Sequence, residues 1–396
     1  MRRVTLLGLF LVLTMAATAL GQPVRAASRE RQAALALEQQ GKLPEAETAW
    51  RALLKAYPSD PEPYAHLGLL EARQEHFQEA VPLYRKALDL GPDVPGLRLN
   101  LGLALFKGGN LKEAIQEFSL LLKKQPGDQK LTTLIGMAHY GLAQYSEAVP
   151  YLKEAAARDT QSLNLQLALA HSCLWSRQFQ CVLDAYHQIL TLNPDSAEAD
   201  MLAGEALDEM KDNEGSVKMF RAAVKADPKE PNVHFALGYL LWTQKKYPEA
   251  MSEFHAELAN DPEHVQATLY LADTLVQLSQ MDAARPLLEK VVAANPALAL
   301  GHLDLGIVLS SAGHNEDALR QYLAAASITP NDVNVHWRLA QLYRSMGKRE
   351  EAKVEFDKAS TLTKAADEEL YKKIANGRAK PPETPAGAPP NPQPVP

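Results

Sequence analysis

The chain has 396 residues, 46% of them hydrophobic, with 41 Lys and Arg against 48 Asp and Glu and a formal charge of −7. That length and apolar content suffice for a large continuous core. A mildly acidic chain without Lys/Arg clusters argues against nucleic acid or an anionic membrane as its main partner.

Residues 1–26 read as a signal peptide. Met1-Arg2-Arg3 is basic, Val4 to Leu13 is apolar apart from Thr5, and Ala17 to Gln22 offers small residues for cleavage near Gly21, or near Ala26. Cleavage near Gly21 removes two arginines and takes the formal charge from −7 to −9. The expectation is an exported chain, periplasmic or secreted, with no membrane insertion of its mature part. The apolar run from Val4 to Leu20 is short for a spanning helix, so a retained anchor is the alternative.

From Ala27 onward the apolar residues recur at three- and four-residue steps, as in amphipathic helices. Gly238 sits inside one such helix, where glycine costs about 1 kcal/mol against alanine. It belongs to a series of small residues at one constant step: Ala34, Gly68, Gly102, Gly136, Ala170, Gly204, Gly238, Ala272, Gly306 and Ala340. Twelve residues after each comes a second small slot, alanine in eight of ten repeats, with Val182 and Ser216 as the exceptions. Four residues further stand bulky apolar side chains, among them Trp50, Tyr84, Phe118, Phe254 and Tyr322. Small side chains let two helices approach closely, and the bulky ones fill the space between them. Prolines such as Pro58, Pro126, Pro194 and Pro330 end most repeats, and Gly41, Gly109, Gly313 and Gly347 share the slot where the first helix stops.

This pattern resembles the tetratricopeptide repeat family, whose period of about 34 residues is the step of this series. The resemblance covers ten gapless repeats, residues 27–366. It implies an all-α fold, an α-solenoid of about ten tandem helix-turn-helix repeats in a right-handed superhelix without an internal break. The family's aromatic slot early in the first helix is kept at Tyr64 and lost at Glu30, Arg98, Thr132, Gln166, Asp200, His234, Thr268, His302 and His336. The softest joint is expected after the fourth repeat, where Thr160 replaces the terminating proline. Residues 367–378 are expected to form a separate capping helix with a polar outer face. Residues 379–396 hold eight prolines and are expected to be a disordered, solvated tail.

Cys173 and Cys181, the only cysteines, lie eight residues apart on the two helices of the fifth repeat. In an exported chain they can form a disulfide if their Cα atoms come within about 7 Å. The alternative is ordinary core packing of Cys173.

No catalytic motif is present: no H-E-x-x-H, no phosphate-cradling glycine loop and no G-x-S-x-G elbow. His234, His302 and His336 occupy one slot of separate repeats and do not converge on a metal ion. The reading is a non-enzyme without cofactor or metal. In the family, first helices line a concave groove that takes peptide segments of partner proteins. Counting the small slot as the eighth, slots 2, 5, 9, 12 and 13 are expected to face that groove. They supply Phe106, Met137, Tyr140, His171, Trp175, Glu205, Asp208, Glu209, Phe235, Tyr239, Trp242 and Asp273, with Tyr270 beside them. Aromatic anchors interleaved with carboxylates suggest a protein or peptide partner with apolar and basic side chains. Packing of some of these residues against the neighbouring repeat is the structural alternative. Two functions stay open: an exported adaptor or scaffold in an envelope assembly, secretion or polysaccharide-export complex, and a structural spacer using its ends and convex face. An accessory subunit of an enzyme complex is a further alternative.

Overall fold

A computed structural model describes residues 28–91 and 96–378 of the chain. The expected signal peptide and proline-rich tail lie outside the described residues. Those residues form twenty α-helices, α1 (28–39) to α20 (Arg349–Arg378), and no strand. Odd-numbered helices are the first of each repeat and even-numbered ones the second. The chain falls into two compact units, one ending at Ser216 and the other starting at Val217. The division lies inside α12 (Asn213–Ala226), not at Thr160. Across the turn at Thr160, Gln166 Nε2 donates to the Ala156 carbonyl at 3.3 Å.

In five repeats the small slot is a glycine that meets the bulky residue sixteen positions later, as Gly68, Gly136 and Gly306 meet Tyr84, Leu152 and Tyr322. A Cβ on Gly102 would stand 2.5 Å from the Phe118 ring, and one on Gly238 would stand 2.8 Å from Phe254. Displacing a buried ring costs about 1–3 kcal/mol, more than the roughly 1 kcal/mol of a mid-helix glycine. The glycine is the cheaper solution. The second small slot is buried as well, and at Ser216 the Oγ donates to the Gly204 carbonyl twelve residues earlier at 2.8 Å.

The hairpin turn follows one plan in all ten repeats. Gly41, Glu75, Gly109, Ala143, Arg177, Lys211, Lys245, Ser279, Gly313 and Gly347 take the left-handed conformation, with φ between 55° and 80°. The next residue's N–H bonds back to the first helix, as from Lys42 to the Leu37 carbonyl at 3.0 Å and from Lys246 to that of Leu241 at 2.9 Å. Only the four glycines of this slot announce themselves in the sequence. Many first helices open on a side-chain cap, such as Asp128 accepting from Leu131 N–H and Ser196 from Ala199 N–H.

In several repeats the slot that lost its aromatic bonds across the hairpin instead. Arg98 pairs with Glu117, His234 with Glu253 and His302 with Gln321, each nineteen residues on. His302 and His336 also reach the Pro296 and Pro330 carbonyls, as Tyr64 reaches that of Pro58.

The expected separate cap is corrected. Residues 367–378 continue α20, a single helix of 30 residues. Lys364 stands where most repeats have proline, and Leu370 and Tyr371 are exposed rather than folded over the preceding pair.

Cys173, buried on α9 (Leu163–Trp175), and Cys181, on α10 (Phe179–Leu192), are joined as a disulfide with Cα atoms 5.8 Å apart. The link closes the hairpin whose left-handed residue is Arg177.

Candidate binding faces

In the N-terminal unit, α7 (Gln129–Gly141) carries Met137 and Tyr140, α9 carries His171 and Trp175, and α11 (Ala197–Glu209) carries Glu205, Asp208 and Glu209. Trp175 is the last residue of α9, at the hairpin tip, and is 64% exposed. Its indole stacks on Tyr145, the first residue of α8 (Tyr145–Arg158), with ring centres 6.2 Å apart. Tyr145 in turn meets Tyr140 edge-on at 6.1 Å. A pocket of about 300 Å³ adjoins Trp175, lined also by Leu174, Phe179, Glu205 and Asp208. Arg177 pairs with Glu209 at 2.9 Å, whereas Glu205 and Asp208 have no Lys or Arg partner among the described residues. Glu205 is exposed overall, but its place in the pocket wall partly dehydrates the carboxyl and raises it above its ordinary range, opposed by the nearby His171. His171 itself is tied to Glu198 at 2.8 Å. Phe106 and Met137 behave differently: both are partly buried against the core, Phe106 with its ring 6.4 Å from that of Phe118.

In the C-terminal unit, α13 (Val233–Thr243) carries Phe235, Tyr239 and Trp242, and α15 (Val265–Gln277) carries Tyr270 and Asp273. The four rings pack on one another. Tyr270 meets Tyr239 at 5.1 Å and Trp242 at 5.0 Å, both edge-on, and lies 6.0 Å from Phe235. Tyr239, at 40% exposed, is the open member. Burial, with Tyr239 and Asp273 adding to it, pushes the Tyr270 hydroxyl up to about 12. The expectation that Asp273 faces a partner is corrected: it is 2% exposed and accepts from Trp242 Nε1 and, at 3.2 Å, from Gln277 Nε2. Trp242 is likewise a half-buried residue tied into the interior, not a free groove side chain. On α17 (Ala299–Ser311), Asp304, also 2% exposed, lies near enough for the two carboxyls to act on one another. Burial first, then the Asp273 charge, holds the Asp304 carboxyl well above the ordinary range, against the pull of Arg338.

Sequence reasoning missed Tyr145 and Asp304. An acid at Asp304, in the slot that holds Tyr270 one repeat earlier, is the signal that could have found the second. Among the described residues no three His, Cys, Asp or Glu side chains are placed to hold a metal ion, and no helix is long and apolar enough to cross a membrane.

Comparison with known proteins gives partial, distant matches. "Anaphase-promoting complex subunit CDC16" of Saccharomyces cerevisiae is 25% identical over 239 residues, covering 57% of this chain and 24% of the yeast protein. "Cellulose synthase operon protein C" of Pseudomonas fluorescens is 25% identical over 321 residues, covering 75% of this chain and 25% of that protein. The chain thus spans about a quarter of the length of each. Among solved structures, YrrB, described as "a TPR protein with an unusual peptide-binding site", aligns with a TM-score of 0.40 and 22% identity over 48% of this chain and 98% of its own. Tetratricopeptide repeat models match residues 31–95, 66–129, 183–231, 208–257, 235–299 and 333–365. With more than half of its length so matched and twenty helices in hairpin pairs, the chain belongs to the tetratricopeptide repeat family.

Proposed function

We propose that the chain is an exported, non-catalytic scaffold that holds segments of partner proteins on the faces of its first helices, within an envelope assembly, secretion or polysaccharide-export complex. The observation that carries this reading is Trp175: a large indole left 64% exposed beside a pocket whose Glu205 and Asp208 lack basic partners. A solvated aromatic backed by a second ring, with carboxylates at its rim, suits an apolar and basic protein segment. Relatives named as a complex subunit and as a cellulose synthase operon protein are consistent with work inside an assembly. Export rests on the amino-terminal sequence alone.

A photo-crosslinking side chain at position 175, compared with one at Leu120, tests the reading. Leu120 is an exposed residue of the second helix of its repeat, α6 (Leu111–Lys124). A scaffold using the first-helix face gives a protein adduct at 175 that excess unlabelled protein competes away, and none at 120. Adducts at 120 alone mean that the chain is a spacer touching its neighbours through the outer face. Mass spectrometry of the full-length chain, expressed in a cell with an envelope, checks export: a mature species starting near residue 22 or 27 is expected, and an uncleaved cytosolic chain overturns it.

A further inference from the structure

The two sulfurs of the disulfide in the fifth repeat differ in access. Cys173 is fully buried in the core of the N-terminal unit, whereas Cys181 is only partly buried against it. A cavity of about 300 Å³ opens on Cys181, walled by Lys153 of α8, Gln166 of α9 and Asp184 and Gln188 of α10. It shares no residue with the pocket beside Trp175. Its origin lies in the repeat. The slot that Tyr64 fills with a ring holds Gln166, whose amide is turned to the Ala156 carbonyl at 3.3 Å. Nineteen residues on, where Glu117, Glu253 and Gln321 bond across their hairpins, stands Ala185, too short to cross. The space that other repeats bridge is left open in front of a disulfide sulfur.

We propose that Cys181 is a thiol-exchange site: a small thiol enters this cavity as its thiolate, attacks the Cys181 sulfur and is held there as a mixed disulfide. The bond to Cys173 breaks, its electron pair leaves on the Cys173 sulfur, and that sulfur takes a proton from water. A second thiolate attacking the adduct carries the first thiol away as an oxidised dimer and releases Cys181 as a thiolate. Two electrons have then passed from two thiols to the protein disulfide. The opposite course, attack on Cys173, is blocked because exchange requires access to the sulfur attacked.

The position of Cys181 suits the thiolate that the second step releases. It is the third residue of α10, the place that Glu45, Glu79, Glu147 and Glu249 hold in the first turns of their own second helices. Negative charge is favoured there by the helix N-terminus, and α10 has no acidic residue in its first turn to supply it. Of the two sulfurs, Cys181 is therefore the one disposed to carry charge and the buried Cys173 the one disposed to hold a proton. Lys153 puts a positive charge in the cavity wall, and Asp184, the negative one, accepts from Gln180 Nε2 at 3.1 Å. The cavity volume lies at the low end for ligand pockets, the size of a low-molecular-weight thiol and not of a protein surface. The exchange does not depend on what the Trp175 face binds.

The experiment exposes the full, folded chain to reduced glutathione, quenches with N-ethylmaleimide in urea and maps both cysteines by mass spectrometry. Trypsin cuts after Arg177 and so separates them. Glutathione is expected on Cys181 and maleimide on Cys173, at a rate within about tenfold of that of the urea-unfolded chain. Glutathione on Cys173, or a disulfide that reacts only in urea, overturns the proposal. A folded protein bearing one exposed cysteine is the size control, and reaction with it as fast as with glutathione refutes the assignment to a small thiol. Cys173→Ser and Cys181→Ser each leave one free thiol for a second measurement, with glutathione disulfide as the probe. In the folded chain the Cys181 thiol is expected to react at least about tenfold faster than the Cys173 thiol, and the gap to close in urea. Equal rates in the folded state count against the site. If either variant fails to fold, the wild-type mapping alone decides.

Discussion

The aromatic faces of the two compact units are both built mainly on first helices of their repeats and end in opposite states. In the N-terminal unit, Trp175 stands in water on a base of Tyr145 and Tyr140, and the carboxylates beside it line an open pocket. In the C-terminal unit, Trp242 is drawn inward by its bond to Asp273, and Phe235, Tyr239 and Tyr270 close around it. Glu205 and Asp273 occupy the same ninth slot, yet the first is exposed and the second is 2% exposed. What separates them is the neighbour. Asp273 accepts from Trp242 and Gln277, so burying it costs less than leaving three polar groups to find water separately.

The largest expected difference between the two faces is the cost of removing their tryptophans. Trp242→Ala removes a packed ring and strands a buried carboxylate, and is expected to destabilise the C-terminal unit by about 3 kcal/mol. Trp175→Ala, at an exposed position, is expected to change stability by less than about 0.5 kcal/mol. Calorimetry of both variants checks this, and equal losses would erase the distinction between an open and a closed face.

A second contrast is covalent. Cys173 and Cys181 close a short loop directly before and after the Trp175 hairpin tip, and chain-entropy arithmetic assigns such a link about 2.5 kcal/mol. Reductant, or Cys181→Ser, is therefore expected to lower the melting of the N-terminal unit and leave that of the C-terminal unit unchanged. Proteolysis that cuts both units equally after reduction would count against a local role.

The turn slot is the control in which the two units ought to agree. Lys211 and Ser279 both sit at positive φ without being glycine, at 66° and 61°. Lys211→Gly and Ser279→Gly are each expected to stabilise by about 1 kcal/mol, read from urea midpoints. The smallest effect belongs to the pocket rim. Glu205→Gln with Asp208→Asn is expected to leave stability within about 0.5 kcal/mol while flattening the salt dependence of partner association. Unchanged salt dependence would show that the partner does not use those carboxylates.

The repeat was legible because its defining contact lies inside one hairpin. A glycine and a ring sixteen residues later are both visible in the sequence, and their sterics require no knowledge of the neighbouring repeat. The faces were less legible because the decisive partners sit in the next repeat and have no fixed chemistry. The slot rule that placed Asp273 in a groove could not see Asp304, and for Phe106 it could not weigh the pull of the core. The turn was half legible. Four glycines marked it, but Glu75, Ala143, Arg177, Lys211, Lys245 and Ser279 adopt the same geometry against their own preference, because the bonds on either side fix the backbone. The continuous last helix shows the converse, a repeat boundary expected near Lys364 that the fold does not keep.

The ring-on-glycine contact also bears on how such a chain can change length. Splicing Gly102 directly to Met137 removes one period and brings Leu152 against Gly102 in place of Phe118. The new hairpin inherits a bulky apolar residue at the right distance, and its turn, Ala143, already has the left-handed geometry. Loss or gain of one whole period in register therefore preserves every local fit, whereas an insertion one residue longer or shorter within a hairpin sets the ring beside the wrong residue. Recombination within such a gene is thus expected to leave folded products in whole-repeat steps.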